Sequence, residues 1–179
     1  SSALVAGLRK SAATLLHAQP ELVVCGRASD ECTSTTAARL EREFGVRVLT
    51  RPSDICAALT ANTVLLVLCV KPNQIDAVAQ LVAPCVPSTC AILSCCAGVA
   101  FASIEAKFSC DRVVRCMPTT AAAIGCSATA WFASSAVTAE QIGTVVHLLQ
   151  AVGTQLRVSA EYHIDIATAL AGSGTAFVL

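Results

Sequence analysis

Four short groups of residues in this chain join a constrained backbone to a polar or very small side chain, the pattern of a ligand site. Gly26-Arg27-Ala28-Ser29 sets a guanidinium beside a hydroxyl, a combination suited to gripping a phosphate ester. Val70-Lys71-Pro72 carries a cation on a backbone that proline stiffens. Ser94-Cys95-Cys96-Ala97-Gly98 is a run of small residues over which a flat ring can approach the main chain closely. Met117-Pro118-Thr119-Thr120 follows a rigid proline with two hydroxyls. The first three groups also have ordinary readings: a solvated turn arginine, a surface lysine, and tight packing of helix on sheet. No metal centre is expected, because His17, His147 and His163 have no ligand-like spacing and no C-x-x-C pair exists among the cysteines.

The elements that must position these groups alternate. Leu4, Leu8, Ala12, Leu15 and Leu16 recur at helical spacing before Pro20. Leu22–Cys25 is a continuous apolar run, as in a strand covered on both faces. Ser29 or Asp30 can cap a second helix that ends at Gly45. Val46–Leu49 predicts a strand and Pro52–Leu59 a short helix. Val64–Val70 is the strongest strand, and Pro72 opens a helix through Ile75, Val78, Ala79 and Val82. Further strands are expected over Cys90–Ser94 and Val113–Met117, with a helix marked by Phe101, Ile104 and Phe108 between them. The rhythm then changes. A strand covers Ala128–Ala133, and Thr138 with Gln141 makes a capping box for a helix that Gly153 ends. Gln155–Val158 reads as a last strand. A helix from Ser159 towards Leu170 is expected to break at Gly172-Ser173-Gly174, with Thr175–Leu179 opening a further helix that is cut off.

Strands alternating with helices at this spacing imply right-handed crossovers and a mostly parallel, doubly wound α/β sheet of the Rossmann type. In such sheets ligands bind beyond the carboxyl ends of the strands, and each of the four groups closes a strand. Dinucleotide folds for NAD usually place a carboxylate after the strand that ends at Cys25; Arg27 with Ser29 suits a 2′-phosphate instead. The glycine-rich loop that such a domain needs first is not in the sequence. The chain is therefore expected to begin just after it, and without an initiating Met the natural N-terminus is expected to be missing.

Composition excludes several classes. Of 179 residues, 55% are hydrophobic and 13% charged, enough for a large core and too apolar for disorder. Twelve basic and twelve acidic side chains cancel without a basic cluster, so nucleic acid and anionic membranes are not expected partners. The longest apolar run is Val64–Val70, far short of the roughly 20 residues that span a bilayer. No signal peptide is read at residues 1–16, where Arg9 and Lys10 interrupt the apolar pattern. Eleven cysteines, an odd count, sit largely inside apolar runs such as those of Cys69, Cys90 and Cys116. They are expected to be reduced thiols serving as core filler in a reducing compartment, with a zinc or redox role as the competing reading. Cys95 and Cys96 are expected to be unreactive, since no cation lies nearby in sequence to lower their pKa.

Taken together, four segments resemble one family. Cys69-Val70-Lys71-Pro72 is similar to A-V-K-P, Ser94-Cys95-Cys96-Ala97-Gly98 to S-C-A-A-G, and Arg115-Cys116-Met117-Pro118-Thr119-Thr120 to R-x-M-P-N-T. Asp165 with Leu170–Phe177 is similar to D-x-x-T-x-L-S-G-S-G-P-A-Y. In this order and spacing the segments resemble pyrroline-5-carboxylate reductase, and the resemblance covers essentially the whole chain. Thr119, Ala121 and Thr175 stand where the family has asparagine, proline and proline.

What the resemblance implies is hydride transfer from NADPH, with NADH possible, to the C=N carbon of 1-pyrroline-5-carboxylate, giving L-proline. It implies a nucleotide-binding domain over residues 1–160 that lacks its first strand, and the start of an all-helical dimerisation domain over residues 161–179. It places Val70, Lys71 and Pro72 near the nicotinamide riboside, Ala97 and Gly98 in backbone contact there, and Thr119 close by. Arg27 and Ser29 are assigned to the adenosine 2′-phosphate and Glu161 to the substrate, with an exposed first-turn carboxylate favoured by the helix dipole as the competing reading of Glu161. Asp165 is read either as part of the substrate-side motif or as a structural acceptor, and no catalytic residue is assigned. A homo-oligomer built through the C-terminal helices, a cytoplasmic location and a fragment inactive alone are also implied. Two competing readings are another NADP-linked enzyme of the β-hydroxyacid dehydrogenase type and a non-catalytic nucleotide-binding fragment.

Overall fold

A computed structural model describes residues 23–25, 38, 41–42, 47–49 and 51–174. The helices expected before Pro20 and up to Gly45 fall almost wholly outside the described residues, as do Gly26, Arg27, Ser29 and 175–179. Seven strands are described: β1 (Val23–Cys25), β2 (Arg47–Leu49), β3 (Leu65–Leu68), β4 (Ala91–Ser94), β5 (Val113–Met117), β6 (Ser127–Ala133) and β7 (Gly153–Arg157). Five α-helices are described between or after them: α1 (Pro52–Ala58), α2 (Ile75–Val82), α3 (Phe101–Phe108), α4 (Ala139–Gln150) and α5 (Tyr162–Ala167). β1 and β2 form a parallel pair, and β3-β4-β5-β6-β7 form a second sheet in that order. Within it only β5 and β6 run antiparallel.

Period-two alternation along the strands gives the sheet two apolar faces. On one, Leu68, Ile92 and Val113 meet Ile75 and Ala79 of α2 and Ile104 and Phe108 of α3. On the other, Leu93, Val114, Cys116 and Trp131 meet Val145 and Leu149 of α4. The expected capping box opens α4. The Gln141 N–H donates to Thr138 Oγ1 (3.2 Å), and the Thr138 N–H donates to Gln141 Oε1 (3.1 Å). Gln141 is itself buried and donates its amide to the Thr89 carbonyl (2.8 Å), which ties the cap to the sheet.

Several expectations need correction. Gly153 does not end a helix; it begins β7. Its φ is 145°, and a Cβ there would lie 2.1 Å from the Ser127 carbonyl oxygen, so the close approach of β7 to β6 demands glycine. The strand accordingly covers Gly153–Arg157 and not Gln155–Val158. Pro72 opens a 3-10 turn (Pro72–Gln74), and α2 begins only at Ile75. The helix expected from Ser159 starts at Tyr162, and Gly172 does not break it: Thr168–Ser173 continue as a π-helix. The Thr168 hydroxyl donates to the Ile164 carbonyl (2.7 Å), and such back-bonding competes with the regular ladder.

The cysteines also divide. Cys90, Cys96, Cys110 and Cys116 are free and buried, as core filler should be. Cys56 and Cys85, expected to be free thiols, instead form a disulfide with Cα atoms 5.3 Å apart. The physical cause is tertiary: α1 lies against α2, and the 3-10 turn Ala83–Cys85 that follows α2 sets Cys85 beside Cys56.

Candidate functional site

Register brings three of the four sequence groups to one edge of the sheet. Leu68 of β3 pairs with Ser94 of β4, and Ser94 pairs with Arg115 of β5. β3 and β4 therefore finish level, at Leu68 and Ser94, while β5 runs on to Met117 through its pairing with β6, and the segments that follow all three leave the sheet at the same edge. Val70 is half-buried, its carbonyl 3.3 Å from the Cys96 sulfur. Lys71 and Pro72 are exposed, and the Lys71 N–H donates to Gln74 Oε1 (3.3 Å). Among the described residues the Lys71 ammonium has no ion-pair partner.

Ala97 and Gly98 are exposed beyond β4. Gly98 has φ 69°, and a Cβ added there would meet nothing within 4 Å. Its backbone thus borders open space, which fits the close approach of a planar ring. Thr119 turns the other way. Its N–H donates to Ser127 Oγ (3.0 Å), and its hydroxyl bridges Ser127 Oγ and the Ala128 N–H at 3.4 Å each. Ser127 in turn shares a hydrogen bond of 2.9 Å with Thr129, both hydroxyls lying in the interior. Such a chain of hydroxyls satisfies donors that burial would otherwise penalise, and it holds Thr119 against β6.

Glu161 is carried back to the same region. Its Oε1 accepts from the Phe101 N–H at the start of α3 (2.7 Å), three residues beyond Gly98. The same oxygen accepts from Arg115 (2.7 Å), and the other arm of that guanidinium reaches Asp165 Oδ1 (2.8 Å). Arg115 is only 2% exposed. A guanidinium this deep must be paired, and Glu161 and Asp165 at the start of α5 provide the pairing. The Phe101 and Phe132 rings stack beside it with centroids 5.6 Å apart.

Sequence reasoning included Arg115 in a motif but gave it no role. The available signal was a lone charge in the apolar strand Val113–Met117, which predicts burial with a partner. Ser127 and Thr129 carried no comparable signal. The Cys95 thiol is held well above its ordinary pKa by its hydrogen bond to Cys116 and by burial. Burial likewise pushes Cys96 up.

A mostly parallel sheet covered on both faces, with its small and polar residue groups gathered at the strand ends, defines a Rossmann-type NAD(P)-binding α/β fold. No family model matches the chain. Over 152 residues it is 34% identical to the pyrroline-5-carboxylate reductase of Pseudomonas aeruginosa, a match that covers 84% of the chain and 54% of that protein. The pyrroline-5-carboxylate reductase of Coxiella burnetii superposes with a TM-score of 0.80 at 26% identity, over 98% of this chain and 63% of that one. Plasmodium falciparum pyrroline carboxylate reductase, solved with NADP bound, matches in fold with a TM-score of 0.74 at 21% identity, over 99% and 60%. The chain is thus similar to pyrroline-5-carboxylate reductases in sequence and in fold, and it spans about half the length of the curated relative it matches.

Proposed function

We propose that this chain supplies the nicotinamide-side floor of an enzyme that reduces 1-pyrroline-5-carboxylate to L-proline, the last step of proline biosynthesis. The observation that carries the reading is the level finish of the parallel strands β3 and β4, which gathers Lys71-Pro72 and Ala97-Gly98 at one edge. NADPH is the proposed cofactor; when bound it would supply the hydride. Ala97 and Gly98 would receive the nicotinamide against bare backbone, with Val70 and Pro72 flanking the riboside. The Lys71 ammonium would add positive charge near the anionic cofactor. Thr119, pinned to Ser127, would contribute a wall more than a hydrogen bond. Arg27 and Ser29 are assigned to the 2′-phosphate on sequence grounds.

Both bonds to Glu161 fall on Oε1, which leaves Oε2 to face the substrate. Arg115 orients that carboxylate. The reading includes a division between a nucleotide-binding unit over residues 1–160 and a helical unit from 161. It also includes a homo-oligomer formed through the helical unit and a cytoplasmic setting.

The complete enzyme should consume NADPH, followed by its absorbance, when given 1-pyrroline-5-carboxylate. Unchanged absorbance with pure substrate overturns the assignment. Arg27→Ala should raise KM for NADPH by roughly tenfold, about 1.4 kcal/mol of lost contact, and leave KM for NADH unchanged. An equal effect on both removes the 2′-phosphate role.

A further inference from the structure

The strand register that gathers the candidate site also lines up three thiols. Cys69, Cys95 and Cys116 each follow directly on Leu68, Ser94 and Arg115, which pair across β3, β4 and β5. The next residue in the row is Trp131, paired with Cys116 across β5 and β6. Alternation puts all four side chains on the face that α4 covers, and Cys95, Cys116 and Trp131 belong to one apolar cluster there. Cys96 points to the opposite face, into the cluster beneath α2 and α3. The Cys95 and Cys116 sulfurs are 3.4 Å apart, with Cys95 half-buried and Cys116 buried. Adjacent strands lie about 4.7–4.9 Å apart, inside the range of about 4.4–6.8 Å over which a disulfide can join two Cα atoms.

We propose that Cys95 and Cys116 are a modification site, a dithiol that closes to an intramolecular disulfide when the chain meets a low-molecular-weight disulfide oxidant such as oxidised glutathione. The Cys95 thiolate attacks one sulfur of the oxidant, forming a mixed disulfide and releasing one thiol. The Cys116 thiolate then attacks the Cys95 sulfur and releases the second. Two protein thiols and one oxidant disulfide thus become one protein disulfide and two small thiols, a two-electron exchange. Access sets the order, because only Cys95 of the pair reaches solvent. The hydrogen bond to Cys116 and burial hold the Cys95 thiol protonated, against an opposing hydrogen bond with Cys69, so the exchange is slow at neutral pH and accelerates as pH rises and thiolate accumulates.

The bond would tie together the ends of β4 and β5, from which Ala97-Gly98 and Thr119 emerge. That consequence rests on the proposed cofactor reading; the closure itself does not.

The purified chain, reduced and then exposed to oxidised glutathione at pH 8–9, is acid-quenched, alkylated and mapped by non-reducing peptide mass spectrometry. The expected result is a cross-link between the Cys95 and Cys116 peptides, two hydrogens lighter than their sum. Trp131, the chain's single tryptophan, should lose emission as the adjacent disulfide forms and regain it with dithiothreitol. Cys116→Ser and, should that variant fold poorly, Cys95→Ala should each abolish both signals. A stable glutathione adduct on Cys95 without the cross-link overturns the proposal, as does a Cys69–Cys95 bond or a Trp131 response that persists in Cys95→Ala. NADPH binding is measured separately on the complete enzyme: weaker binding after closure supports the link to the cofactor floor, and a cross-link with unchanged binding overturns that link alone.

Discussion

Removing both carboxylates that face Arg115 tests whether a buried charge joins α5 to the sheet. Arg115 is 2% exposed, whereas its partners Glu161 and Asp165 are 31% and 55% exposed. In Glu161→Ala/Asp165→Ala the guanidinium stays buried with neither partner, and an unpaired buried charge costs about 3–5 kcal/mol. The exposure of both carboxylates argues for the lower end, since solvent already screens each pair. The Phe101 N–H also loses its acceptor, which adds about 1 kcal/mol. The expected loss is therefore about 4 kcal/mol, and at about 2–4 °C per kcal/mol for a chain of this size the melting temperature should fall by roughly 8–16 °C. Thermal unfolding followed by circular dichroism measures it. The decisive comparison is the triple variant carrying Arg115→Met as well. With the charge gone and an apolar side chain of similar length in its slot, at least about 2 kcal/mol should return. A triple variant no more stable than the double refutes the reasoning, because Arg115 would then not be a charge in need of pairing.

Other outcomes follow from single features. Gly153→Ala should destabilise by more than about 3 kcal/mol, from forbidden φ and collision with the Ser127 backbone; Gly143→Ala, in open space on α4, should stabilise by about 0.5–1 kcal/mol. Denaturant titration of the two variants reads both signs. Cys56→Ser/Cys85→Ser, which opens a loop with a sequence separation of 29, should cost about 3–4 kcal/mol; an unchanged midpoint under non-reducing conditions contradicts the bond. Burial raises the Cys90 thiol from 9.0 to about 11. The unfolded chain then releases that proton first, so stability contributed by the neutral thiol is complete below pH 9 and lost as pH rises towards 11. The loss reaches about 2–3 kcal/mol, and Cys90→Ala should flatten the stability curve over that window.

The order and type of the elements from Val46 onwards were legible in the sequence because local physics sets them. A short continuous apolar run such as Leu65–Leu68, rich in branched residues and ending before a Lys-Pro turn, fits a covered strand, and the reciprocal Thr138–Gln141 cap starts α4 wherever it lies in the fold. The groups at the strand ends were legible for a related reason. In a parallel sheet every strand delivers its last residues to the same edge, so sequence position alone predicts neighbourhood. Glycine was less readable. Gly153 and Gly172 both looked like stops, but the first answers a neighbouring backbone at Ser127 and the second is carried through in π turns.

Local pattern and spacing were enough for an alternating α/β chain with a covered sheet, a set of candidate ligand residues at its strand ends, and a resemblance to one family of reductases. Chain packing alone brings Arg115 to Glu161 and Asp165, Cys56 to Cys85, Thr119 to Ser127 and Cys95 to Cys116. Apart from the Thr119–Ser127 contact, which spans eight residues, each joins elements far apart in sequence. Such contacts depend on strand register and helix docking, and a shift of one residue in register moves a side chain to the opposite face of the sheet. Composition and periodicity say which face a residue prefers; they carry no information about which partner waits there.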